Sequence, residues 1–97
     1  MTSSIAVTGL TGKAPATLKA GVDIKHTYRG DLVIDLVAPD GTTYRMKNAS
    51  SNDSSANVIT TYTVDASSEV AAGTWKLRVQ DTYSADTGYI DSWKLTF

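Results

Sequence analysis

Four aspartates have the residue type and placement to do chemistry. Asp31 opens a strand-like run, Asp81 closes another, Asp86 lies in the loop that follows, and Asp91 opens the last run. Carboxylate oxygens are hard ligands, and Ca²⁺ gathers six to eight oxygens from carboxylates, carbonyls and water. If Trp75–Gln80 and Ile90–Phe97 pair as a hairpin, Asp81, Asp86 and Asp91 converge at one end and, with loop carbonyls, form a calcium cage. Their spacing is not that of an EF-hand. Aspartates also cap turns and strand ends through bonds from side chain to backbone, and both readings stay open from pattern alone.

Catalytic chemistry finds little footing. The chain has one histidine and no cysteine. Thiolate chemistry, disulfides and cysteine-based zinc sites are therefore excluded, as is any motif that needs two histidines. No Gly-x-Ser-x-Gly elbow occurs, and Gly9 and Gly12 do not open a phosphate-binding loop. His26 shares strand parity with Val22, Ile24 and Tyr28, so a core or rim histidine with satisfied nitrogens is expected. Arg29-Gly30-Asp31 spells an adhesion tripeptide, but Gly30 reads as a break between strands and Asp31 as inward-facing. Asn48-Ala-Ser50 and Asn52-Asp-Ser54 match glycosylation acceptors, which matter only in a host that uses them. Trp75 and Trp93 occupy inward parity and are expected in the core. Tyr83 and Tyr89 flank the Asp86 loop and are the expected contact surface.

The elements that must position these residues are strands. Apolar residues recur with period two: Val22, Ile24, His26 and Tyr28; Leu32, Ile34 and Leu36; Trp75, Leu77 and Val79; Trp93, Leu95 and Phe97, with Asp91 at the same parity. Weaker strands are expected over 4–10, 42–46 and 58–64. Ala38-Pro39-Asp40-Gly41 predicts a hairpin turn, with proline presetting φ and glycine supplying a positive one. Residues 67–72 could form one helical turn at most. The polar run 48–57 (NASSNDSSAN) predicts an exposed, mobile loop. Together these give an all-β fold, a jelly-roll β-sandwich of about eight mostly antiparallel strands. Residues 1–97 read as one domain, with residues 1–4 as linker or added sequence.

With 97 residues, nine basic and ten acidic, the formal charge is −1. The basic residues are scattered along the chain, so neither nucleic acid nor an anionic membrane is an expected partner. No apolar run reaches about 18 residues, and the polar start at Met1–Ser4 carries no signal-peptide pattern.

Four blocks, in chain order, carry a family resemblance. They are His26-Thr-Tyr-Arg-Gly-Asp-Leu32, Val33-Ile-Asp-Leu-Val-Ala-Pro-Asp-Gly41, Gly73-Thr-Trp-Lys-Leu-Arg-Val-Gln-Asp81 and Asp86-Thr-Gly-Tyr-Ile-Asp-Ser-Trp-Lys-Leu-Thr-Phe97. In order and interval they resemble the P domain, or Homo B domain, of kexin- and furin-like proprotein convertases, in wording nearer the bacterial branch. The resemblance runs from about Ile5 to Phe97. It implies a jelly roll that follows the catalytic domain of a secreted subtilisin-like, trypsin-like or metallo-protease. It also implies a non-catalytic role in stability, maturation or substrate contact, with that catalytic domain as partner in the same chain. Bacterial relatives can carry calcium, which implies a structural metal role for Asp31, Asp81, Asp86 or Asp91. A competing expectation is an extracellular module that binds carbohydrate or a matrix polymer, which would require exposed aromatics on one face.

Overall fold

The computed structural model describes residues 1–82 and 88–97. Alternating burial turns each apolar run into a strand with one face inward. β6 (Gly73–Asp81) buries Trp75, Leu77 and Val79 while Lys76, Arg78 and Gln80 face water. The other strands are β1 (Thr2–Val7), β2 (Leu18–His26), β3 (Leu32–Val37), β4 (Thr43–Lys47), β5 (Val58–Val64) and β7 (Gly88–Thr96), and a short 3₁₀ turn covers Arg29–Asp31. Seven strands are present among the described residues where about eight were expected. Residues 2–4, read as linker or added sequence, belong to β1, where Thr2 to Ser4 pair with Arg78 to Lys76.

The strands form two antiparallel sheets in the orders β1-β6-β3-β4 and β5-β2-β7. Between them lie two apolar clusters. One gathers Leu18, Leu36, Val64 and Trp75, and the other Val22, Ile24, Leu32, Ile34, Leu77 and Val79. Trp93, half-buried, packs against both. The Trp75 ring is fully buried; its Nε1–H donates to the Ala71 carbonyl at 2.9 Å, and it meets Phe97 edge-on at 5.8 Å. The predicted turn closes β3 onto β4: the Gly41 amide donates to the Ala38 carbonyl, and Gly41 has φ +91°.

Two features depart from the sequence pattern. Between Asp23 and Ile24 the β2–β7 register slips, so Asp23 faces Ser92 while Ile24 faces Ile90. Asp91 is the extra residue of this bulge, which reverses side-chain parity. Ile90 and Trp93 therefore both turn inward, and Asp91 is exposed. The second concerns residues 48–57, which form the largely exposed loop expected but with an attachment that their composition does not show. They fold back over 26–30 through backbone bonds Arg29 N–H to Ser55, Gly30 N–H to Asp53, Ser50 N–H to Gly30 and Asn57 N–H to His26. Tyr28 Oη–H adds a bond to the Ser51 carbonyl, and the Asn57 side chain accepts the His26 amide.

Candidate functional site

The end of the sandwich where β2 stops and β3 starts holds most of the titratable residues singled out above. His26 is the last residue of β2 and only 3% exposed. Its Nδ1 accepts the Tyr28 amide at 3.0 Å, so the ring proton resides on Nε2, which donates to Asp81 Oδ2 at 2.9 Å. Both nitrogens are thus engaged in structure, as expected of a core histidine. A general base needs a ring nitrogen within reach of substrate, and this buried ring offers none.

Asp81 closes β6 directly opposite Leu32, the first residue of β3. Asp31 is buried in the 3₁₀ turn beside it, and its carbonyl accepts both the amide and the hydroxyl of Thr82, at 2.9 and 2.8 Å. The fold therefore places Asp31 and Asp81 on neighbouring backbone segments. It places Asp91 elsewhere. The hairpin that would have joined Asp91 to them does not exist, because β6 and β7 lie in different sheets. Asp91 instead stands 3.9 Å from Lys25 Nζ, on the outer face of the three-stranded sheet. Lys25 also pairs with Asp23 at 2.8 Å, and that bond, against a smaller opposing effect of burial, holds its ammonium above the usual range. Asp86 lies outside the described residues, as does Tyr83. Among the described residues, no group of three or more acidic or histidine side chains is placed to hold a metal.

The Arg29-Gly30-Asp31 tripeptide is not presented as a ligand. Gly30 and Asp31 are buried, and Arg29 Nε–H donates to Asp53 Oδ2 at 2.8 Å. The Arg29 guanidinium is the main cause holding the Asp53 carboxyl below the usual carboxylate range. Neither tryptophan forms an open stacking platform. Trp75 is wholly interior and Trp93 donates its Nε1–H to Ser3 Oγ at 3.0 Å. Tyr89 is exposed, as expected for a contact residue. Asn48 and Asn52, the glycosylation candidates, are exposed.

Two buried acidic residues were not singled out from the sequence. Asp35 sits inside the apolar run of β3, where its carboxylate is buried between two half-exposed arginines. Arg45 Nε–H reaches Oδ1 at 2.6 Å and Arg78 Nη2–H reaches Oδ2 at 3.0 Å. The cross-strand pairs Asp35–Arg45 and Asp35–Arg78 explain the arrangement once register is known. Glu69 is the other, 4% exposed in the loop between β5 and β6. Only the charge in an apolar run at Asp35 could have been noticed beforehand.

The architecture is thus a two-sheet β-sandwich whose single histidine and central carboxylates are spent on structure. Residues 15–97 match the family model described as the proprotein convertase P-domain, and the chain belongs to that family. All 97 residues align at 62% identity with leupeptin-inactivating enzyme 1 of Streptomyces exfoliatus, covering 22% of that protein. They align at the same identity with the transglutaminase-activating metalloprotease of Streptomyces mobaraensis, covering 13% of it. The chain thus spans about a fifth or less of the curated relatives it matches. The fold is shared with part of the crystal structure of a serine protease of Aeromonas sobria, with a TM-score of 0.64 at 19% identity over 97% of this chain and 22% of that one.

Proposed function

We propose that this domain is a non-catalytic accessory module of an extracellular protease, C-terminal to the catalytic domain that it stabilises and positions, and in contact with protein substrate. The observation that carries the reading is the match of all 97 residues, at 62% identity, to small portions of proteins named as a metalloprotease and a leupeptin-inactivating enzyme. The buried, fully bonded state of His26 agrees with a supporting role. The mechanism is docking: Ile59 and Tyr89, exposed on the outer face of the three-stranded sheet, would bury against the catalytic domain over roughly 600–1,500 Å². Each domain then stabilises the other by mass action.

The test is expression of the parent protease with and without this segment. Deletion is expected to lower the yield of folded enzyme and its Tm, while the folded fraction keeps its kcat on a short peptide. Unchanged yield and Tm would refute the reading.

Structural calcium is part of the proposal. Asp31, the residue before β3, and Asp81, paired with Leu32 at the end of β6, would supply hard oxygen at the point where the chain leaves β6 toward Asp86, whereas Asp91 is directed to Lys25. Ca²⁺ held there would tie the β6 end to the 3₁₀ turn. The expected result is a Tm several degrees higher in millimolar Ca²⁺ than in EGTA, with that difference abolished in Asp81→Ala. Because Asp81→Ala also removes the His26 bond, the readout is the calcium-dependent difference and not the absolute Tm. Equal Tm values with and without Ca²⁺ would strike the metal and leave Asp31 and Asp81 as structural caps.

A further inference from the structure

The basic residues are scattered along the chain, yet strand register gathers three of them on one face. Residues directly opposite each other in an antiparallel sheet share a face. In the four-stranded sheet, β6 turns Lys76 and Arg78 to water. Arg78 lies opposite Asp35 of β3, and Asp35 lies opposite Arg45 of β4. In the next row Lys76 lies opposite Val37, and Val37 opposite Thr43. On the β1 side, Thr2 and Ser4 face Arg78 and Lys76. Asp35 is the only acidic residue in these two rows. Three cations against one carboxylate leave the face positive, on a chain whose formal charge is −1.

That carboxylate holds two of the cations in place. Asp35 stands on the outer face and is still only 2% exposed, because Arg45 and Arg78 close over it from the strands on either side. Each of its oxygens takes one guanidinium N–H, and Arg45 Nη1–H also donates to Asn48 Oδ1 at 2.9 Å. These bonds use a minority of the N–H groups that two guanidiniums carry. Both arginine side chains remain about half exposed, so the other N–H groups are open to water. A guanidinium already held in position loses less freedom when it meets an anion. Lys76 is exposed and forms no ion pair among the described residues.

We propose that this face binds an acidic segment of a protein partner, in extended form, with one carboxylate on the Arg45–Arg78 pair and the next on Lys76. Planar guanidinium edges match carboxylate geometry. Lys76 and Arg78 are two residues apart along β6, about 7 Å, which is also the spacing of alternate side chains in an extended peptide. The hydroxyls of Thr2 and Ser4 supply further donors at the β1 edge. Three cations with no aromatic ring in their rows do not suit nucleic acid, which needs many phosphate contacts and stacking platforms. Ile59 and Tyr89 belong to the other sheet. The basic face therefore stays open when they are covered, and binding here does not require the accessory role.

The probe is a short rhodamine-labelled peptide of alternating glutamate and glycine, titrated with the 97-residue chain at low ionic strength and followed by fluorescence anisotropy. Binding is expected, weakening as salt is added, and the same peptide with glutamine in place of glutamate should not bind. Lys76→Gln should weaken binding about two- to fivefold, and Arg78→Gln about tenfold. Lys94→Gln removes the same charge from the other sheet and should leave the affinity unchanged. Amide resonances of Asp35, Arg45 and Lys76 should shift on binding while those of β2 stay in place. Arg78→Gln leaves Asp35 one donor short and could unfold the chain, whereas Lys76→Gln breaks no ion pair and keeps the test open. No binding at millimolar peptide overturns the proposal and leaves the arginines as a structural clamp on Asp35. Equal weakening in Lys76→Gln and Lys94→Gln also overturns it, because the attraction is then diffuse. So does tighter binding of an oligonucleotide of equal charge, because the face then selects phosphate.

Discussion

Trp75→Ala is expected to leave this domain largely unfolded at 37 °C. The ring is completely buried in the cluster that holds Leu18, Leu36 and Val64, it meets Phe97 edge-on, and its N–H satisfies the Ala71 carbonyl. Removing a buried tryptophan costs about 3–5 kcal/mol, and the whole stability of a small domain is about 5–15 kcal/mol. A chain of this length lies toward the low end, since it buries a smaller share of its surface than a larger domain does. Urea denaturation followed by circular dichroism would measure the loss. Trp75→Phe keeps an aromatic in the cavity but orphans the Ala71 carbonyl, so an intermediate loss of about 1–3 kcal/mol is expected. If Trp75→Ala shifted the midpoint by less than the equivalent of about 1 kcal/mol, the two-cluster core described above would be wrong. In the accessory reading the same substitution should also reduce secretion of the parent protease, because a docked partner that does not fold cannot stabilise anything.

Gly30→Ala is expected to detach the 48–57 loop. A Cβ at this position would collide with the carbonyl oxygens of both Ser50 and Asp53. These are backbone atoms, the Asp53 carbonyl accepting the Gly30 amide and the Ser50 carbonyl accepting the Asp53 amide, so neither can swing aside as a flexible side chain could. Overpacking usually costs about 1–3 kcal/mol and more where nothing can yield, so a loss at or above about 3 kcal/mol is expected, a Tm drop of about 12–24 °C. Amide exchange should report it locally. In the wild type the amides of Gly30, Ser50 and Asn57 should be protected, and in Gly30→Ala they should exchange faster than those of β6. Equal protection in the two proteins would mean that the loop is not pinned through Gly30. A mobile loop, as composition suggested, would tolerate the methyl group without measurable effect.

These two positions mark how far the sequence could be read. Trp75 was legible because it alternates with Lys76 and Arg78, and a period of two in a strand decides which face is buried. The same rule placed His26 inside, and turn chemistry predicted the Pro39-Asp40-Gly41 turn. The exposed loop at 48–57 was legible, but its attachment was not. Its order comes from backbone groups of 26–30, and every residue has a carbonyl and nearly every one an amide regardless of side chain, so a polar composition carries no trace of them. Asp91 failed for another reason: one bulge residue between Ile90 and Trp93 reversed its parity, and a bulge leaves no mark in a simple alternation.

Local sequence therefore determined the strands, the inward identity of Trp75, Leu77, Ile34 and His26, and the family to which the chain belongs, because alternation and turn chemistry act over a few neighbouring residues. Tertiary structure alone decided which carboxylates meet. β6 and β7 are consecutive in the chain but lie in opposite sheets, which parts Asp91 from Asp81. Asp40 and Glu69 are far apart in sequence yet share one cavity, and Asp35 finds Arg45 and Arg78 across two strand pairs. Such meetings follow from strand order and register, which are set by how two whole sheets bury their apolar faces against each other, and no short stretch of residues encodes that.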